Sequence, residues 1–277
     1  MANDMVCSLC GPGPGSCLKR TVPPGGRDGH RMLSLRARDC MPSSSEGFQQ
    51  RAESLRADLV AQGRRVQSML EAAFLALFDR NAERATWAIR EEDSVDAADV
   101  TIERACVALL TDATRQGAEL GEQQLRAVLT IVKVNNELER VADVASEIAA
   151  ITARGIAGAT AFPDTFRVMA NSVIGILRDT NAAVHGNDTG LANIVLQSQH
   201  TVAAFKDAVL KAAEHQLANG AISTESAFLL HEIANQCELI ADHCTNIAEQ
   251  VIYLTTGAIV RHMESSWVQV PQNKPGA

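Results

Sequence analysis

From Phe48 to Phe78 the apolar residues Leu55, Leu59, Val66, Leu70, Phe74 and Phe78 recur at steps of three or four residues or sums of them. That is the stripe of an amphipathic helix. Asp79, Arg80 and Asn81 interrupt it with cap-forming side chains, and a second helix is predicted from about Glu83 to Thr114. Gln116 and Gly117 through Gly121 turn the chain into a third. It carries Leu125, Val128, Leu129, Val132, Leu138, Val141, Ala142, Ala145, Ile148 and Ala149 and ends near Arg154 and Gly155.

After Gly155 and Gly158 the pattern restarts at Pro163, a residue suited to a first helical turn. A fourth helix takes in Phe166, Val173, Ile174 and Leu177. His185 to Asp188 mark a turn, a fifth helix runs from Leu191 to about Leu217, and Asn219 and Gly220 lead into a sixth from Thr224 to beyond Tyr253. Three helices followed by three more invite a self-comparison. A shift of 99 residues superposes Asn136 on Asn235, Glu139 on Glu238, Ala142 on Ala241, Asp143 on Asp242, Ile148 on Ile247 and Ala149 on Ala248. The expected fold is all-α: two tandem three-helix bundles at residues 48–155 and 163–262, packed on one another. Residues 1–47 are expected to be a disordered arm and 263–277 a flexible tail.

Composition supports helices. Aromatics make up 4% of the chain, and Pro163 is the sole proline between residues 43 and 270. The arm before Phe48 is rich in Gly and Pro and holds four of the seven cysteines, with too little apolar surface to offset chain ordering. A sharper reading of it is a metal knuckle built on Cys7 and Cys10 with Cys17, His30 or Cys40; one CxxC without a second hook supports that weakly. Cys106, Cys237 and Cys244 fall inside helical patterns as small core residues of a reduced compartment, which points to the cytoplasm. The net charge of −8 without a long basic cluster argues against a nucleic-acid partner. Charged residues break every apolar run short of a membrane span, so contact with a membrane is expected only through partner proteins.

The repeated acids are the candidate chemistry. Residues four apart share a helix face, so Glu139 with Asp143 and Glu238 with Asp242 form carboxylate pairs. Glu147 extends the first stripe; Asn246, Glu249 and His231 lie along the second. Like charges at this spacing destabilise a helix by roughly 0.2–0.5 kcal/mol per pair, and their recurrence asks for a compensating cation. Oxygen-rich sites suit Mg, Mn or Fe, and His231 tilts one site toward transition metals, Zn included. The plainer reading is a solvated acidic face with Lys133 and Arg140 as counter-charges. Ferritin-like oxidases need Glu-x-x-His on two helices, a pattern absent here. Phosphate-loop, nucleophile-elbow and dinucleotide motifs are absent as well, so an enzyme is not expected. Trp87 and Trp267 are read as packing residues, and His243 as an exposed or capping polar residue.

The run Asn135-Asn136-Glu137-Leu138-Glu139-Arg140-Val141-Ala142-Asp143 resembles the signature of the PhoU family, and Asp242-His243-Cys244-Thr245-Asn246-Ile247-Ala248-Glu249 through Gly257 and Arg261-His262 resembles its second copy. The resemblance spans about Phe48 to His262. It implies a double three-helix bundle, cytoplasmic and often homodimeric. It further implies negative regulation of phosphate uptake and phosphate-starvation signalling, through binding of a phosphate ABC transporter and its sensor histidine kinase. Some members bind iron or other metals through acid-x-x-x-Asp motifs, here Glu139, Asp143, Glu238 and Asp242, and the family's helix-two acids match Glu92 and Asp96. Several positions depart from the pattern. Gln199 and Ala203 stand at the second-repeat equivalents of Glu92 and Asp96, Gln124 replaces an Asp, Leu239 the motif Arg, and Ala142 and Ala241 the usual Gly. These departures weigh against metal in the second repeat above all. The alternatives are a carboxylate-ligated metal-storage protein or metal-dependent helical enzyme, and a structural accessory to another phosphate permease.

Overall fold

The computed structural model describes residues 44–155, 162–263 and 266–270. Six helices follow in chain order: α1 (Ser44–Asp79), α2 (Ala82–Arg115), α3 (Glu122–Ala153), α4 (Asp164–Gly186), α5 (Thr189–Ala218) and α6 (Thr224–Thr256). Their ends carry the expected stop and start chemistry. Asn81 caps α2 by accepting from the Arg84 N–H, Asp188 caps α5 through Leu191, and Ser223 caps α6 through Ser226. Pro163 sits just outside α4 as its N-cap residue, one position earlier than a first-turn proline.

In each half the third helix is the most buried. α3 packs on α1 and α2, α6 on α4 and α5, and α3 and α6 pack on each other, so one continuous core joins the halves. A second seam runs between α1 and α4. Phe78 meets Phe166 edge to face with centroids 5.8 Å apart, and Arg56 caps the end of α4 by donating to the His185 carbonyl at 2.6 Å. Gly63 of α1 lets the helices approach there: a Cβ would lie 2.5 Å from the Asn181 side chain of α4, whose amide bonds to the Gly63 carbonyl, so that side chain would have to shift.

The α3–α6 contact is antiparallel, and its register can be read from two hydrogen bonds. Asn246 donates to Glu137 at 3.1 Å and Gln236 donates to Glu147 at 3.0 Å. A shift of 99 residues converts each pair into the other, so the two halves meet about a pseudo-two-fold axis. Its midpoint falls at Ala142 and Ala241, both fully buried. Small residues at a crossing let two backbones come close and bring the flanking side chains within bonding distance.

His243 lies beside that crossing. Rather than being exposed or capping, it is 7% exposed and its Nδ1 donates to Glu137 Oε2 at 2.7 Å. Partnering by a carboxylate from the opposite repeat is what allows a polar ring to be buried there. Trp87 also departs from expectation: it is 45% exposed on α2 instead of packed. Cys106, Cys237 and Cys244 are buried free thiols, as core cysteines should be.

The chain beyond α6 differs from the expected tail. Gly257 ends the helix in the left-handed region, at φ 73°, with the Arg126 side chain where a Cβ would project. Strands β1 (Ile259–Met263) and β2 (Ser266–Val270) then pair as an antiparallel hairpin with Arg261 opposite Val268, and Arg261 forms an ion pair with Glu249 of α6. Trp267 stands in β2 opposite His262. The six-helix, all-α body therefore carries one small hairpin. The cysteines and His30 of the proposed knuckle lie outside the described residues.

Enlarging the crossing should force the halves apart. Ala142→Leu is expected to lower stability by about 1–3 kcal/mol, the usual range for overpacking, in urea denaturation.

Candidate metal centre

α3 positions the first-repeat acids through its buried stripe of Leu138, Val141, Ala142, Ala145 and Ile148. With that stripe facing the core, Glu139 and Asp143 turn toward α2 at the edge of the bundle, where both are partly buried. Asp96 of α2 comes to meet them: one carboxylate oxygen from each of Asp96, Glu139 and Asp143 lies within 4.8 Å of the other two. Among the described residues no hydrogen-bond donor or ion-pair partner reaches any of the three.

The rest of the acidic face is arranged around this group. Glu92 accepts a hydrogen bond from the Ser146 hydroxyl of α3. Asp99 is held by Asn135, whose amide donates to its side chain at 2.6 Å and to its backbone carbonyl at 3.1 Å. Glu147 is directed away and accepts from Gln236 of α6. Asp99 was not among the residues singled out from sequence. A stripe of Glu92, Asp96, Asp99 and Glu103 at steps of four, three and four was the signal that could have found it.

The electrostatics follow from this crowding. Partial burial, then the charges of Asp143, Asp99 and Asp96, push the Glu139 carboxyl above its ordinary value, with Arg140 opposing. Asp143 is pushed up by burial and by Glu92, Asp96 and Glu147. Asp99 is raised by burial, Glu103 and Asp96. Glu137, on the neighbouring face, goes the other way. Burial raises it, but the bonds from His243 and Asn246 and the charge of Arg140 bring it below the ordinary range.

In the second repeat the corresponding acids are already engaged. Lys206 Nζ of α5 lies 2.5 Å from Glu238 Oε2, and Gln199 donates to Asp242 Oδ1. Glu249 is buried and paired with Arg261. His231 is exposed, with its ring 2.9 Å from the Asn235 amide and bonded to no carboxylate among the described residues. Lys133 faces the Tyr253 ring, 5.7 Å from its centroid, and its charge bears on Glu249 of the second repeat. The three buried thiols are pushed up by burial, to about 11 for Cys106 and about 12 for Cys237 and Cys244, which leaves them protonated and poor ligands.

Three oxygens converging without a donor among them make a site that fits a hard or intermediate cation. The second repeat, with an ammonium already on Glu238 and an alanine opposite, does not fit one.

Comparison with known proteins gives the same picture of the fold. The PhoU domain family matches residues 59–152 and 166–251, one match in each half. The phosphate-specific transport system accessory protein PhoU of Serratia marcescens is 26% identical over 217 residues, covering 78% of this chain and 87% of that protein. The PhoU homolog of Pseudomonas aeruginosa is 28% identical over 223 residues, covering 79% and 89%. The crystal structure of the phosphate transport system regulatory protein PhoU from Streptococcus pneumoniae aligns with a TM-score of 0.70 at 23% identity, covering 77% of this chain and 99% of that one. PhoU from Pseudomonas aeruginosa aligns with a TM-score of 0.70 at 24% identity, over 76% and 99%.

The raised carboxyls set a pH dependence. The folded state holds more protons than the unfolded chain between the ordinary carboxylate range and the raised values, so stability falls as pH climbs through that window. At neutral pH, with chelator present, Glu139→Gln combined with Asp143→Asn is expected to be the more stable protein by roughly 0.5–1 kcal/mol, a few tenths for each like-charge contact removed. Urea midpoints measured from pH 4 to 7 should show the two proteins converging at the acid end.

Proposed function

The chain belongs to the PhoU family, and on that premise we propose that it is a negative regulator of phosphate uptake and of phosphate-starvation signalling. It acts in the cytoplasm, as a homodimer, by binding a phosphate ABC transporter and its sensor histidine kinase. Support comes from the match of both halves to the PhoU domain and from relatives that are accessory proteins of a phosphate-specific transport system. No helix among the described residues is long and apolar enough to cross a membrane, so transporter contact would be made by docking. The long exposed faces of a rigid helical body suit that task.

Within this role Asp96, Glu139 and Asp143 hold an ion of the Mg, Mn, Fe or Zn class, with Glu92 and Asp99 as neighbouring carboxylates. The observation that carries the metal reading is the convergence of the three unpartnered carboxylates on one edge of α2 and α3. The ion supplies positive charge that cancels their repulsion and ties α2 to α3. Metal occupancy thereby sets the charge and rigidity of the face shown to a partner.

Purification of the tagged protein from phosphate-replete cells is expected to recover transporter and kinase components, and a deletion strain with normal phosphate control would overturn the regulatory role. For the metal, elemental mass spectrometry on protein made without a His tag is expected to find one ion per chain, lost in Glu139→Ala with Asp143→Ala. A folded wild-type protein that is free of metal would overturn that part.

A further inference from the structure

The two acidic motifs are related by the internal repeat, yet they are completed differently. On α2 the face toward α3 carries Glu92, Asp96 and Asp99, and on α5 the face toward α6 carries Gln199, Ala203 and Lys206, the same three positions after a shift of 107 residues. Contacts in space confirm this correspondence. The charge of Glu92 bears on Asp143 and that of Asp99 on Glu139. In the second half Gln199 bonds to Asp242 and Lys206 to Glu238, so each helix-two residue addresses the equivalent acid of its own third helix.

We propose that Lys206 is the built-in cation of the second repeat, its ammonium paired with Glu238 on the face that corresponds to the one where the first repeat takes a metal ion. The first face thus has five carboxylates and, among the described residues, no bonded cation. The second has two carboxylates, one ammonium at 2.5 Å, one amide and one alanine. Lys206 and Glu238 are only 21% and 34% exposed, which shields the pair from solvent screening. A metal entering there would have to displace the ammonium and would find no ligand at Ala203. Because the ammonium is part of the chain, the second repeat keeps a counter-charge on Glu238 whatever the metal supply, and only the first repeat responds to it. The contrast between halves rests on the metal reading of the first; the role of Lys206 at Glu238 does not.

Calorimetric titration with Mn²⁺ tests the proposal in a Glu139→Ala, Asp143→Ala background, which silences the first site. That protein is expected to take up no Mn²⁺. Adding Gln199→Glu, Ala203→Asp and Lys206→Asp, which copies the first repeat's pattern, is expected to create one site per chain. Uptake by the background protein that is lost with Glu238→Ala and Asp242→Ala, or no uptake by a folded copied variant, would overturn the proposal.

A thermal double-mutant cycle stands apart from any metal and from the folding of the copied variant. Lys206→Met is expected to lower Tm by a few degrees in chelator, and the loss should shrink to near zero in a Glu238→Gln background. Equal losses in both backgrounds would overturn the proposal. No Mn²⁺ uptake by the wild-type first site, with the cycle intact, would instead reject the metal reading alone.

Discussion

The close antiparallel crossing of α3 and α6 at Ala142 and Ala241 fixes the positions on which everything else depends. With both helices committed there, the side chains five residues away on either side are set to bond across the seam, Glu137 with Asn246 and Glu147 with Gln236. The remaining edge of each helix is then turned toward the second helix of its own repeat, and that edge carries Glu139 and Asp143 in one half and Glu238 and Asp242 in the other. The acids are therefore held by the buried helix contact that joins the two halves, not by a loop, and their separation is a property of the core. His243 reinforces the arrangement by placing a buried hydrogen bond to Glu137 beside the crossing.

Given that common frame, the helix opposite decides the chemistry. α2 answers two acids with three more, which leaves an accumulation of negative charge that burial makes worse and that only a cation or protons can relieve. α5 answers the same two acids with an ammonium, an amide and a methyl group. One backbone device thus yields a half that is electrostatically unfinished and a half that is complete within the chain. Such a division suits a regulatory scaffold, since one face can change with its surroundings while the other holds the bundle constant.

Much of the fold was legible in the sequence because it is local. The three- and four-residue spacing marked all six helices, with breaks at Asn81 and at Asp188 where cap chemistry is short-range, while the Ser223 cap of α6 emerged only in the structure. The repeat exposed the acids, since Glu139 and Asp143 recur at Glu238 and Asp242 without any structure. Legibility ended where the determining partner lay on another helix. His243 looks polar and solvent-facing until Glu137 is brought to it from 106 residues away. Lys206 reads as an ordinary surface lysine, and the shift that aligns the third helices does not align the second ones, because the second half is shorter between the two sets of positions, in α5 itself, in the turn after it and in the start of α6. The hairpin from Ile259 to Val270 was missed because strands this short leave too few alternations to stand out from a tail.

The central claim is that the same acidic frame is open to metal in one repeat and closed by a lysine in the other. Crystals grown with Mn²⁺ and measured at the manganese absorption edge test it most directly, because the anomalous signal locates each ion without assumptions about ligands. The account predicts one peak per chain, between α2 and α3 beside Asp96, Glu139 and Asp143, with Lys206 remaining on Glu238. A peak of comparable height beside Glu238 and Asp242, with Lys206 displaced, would contradict it.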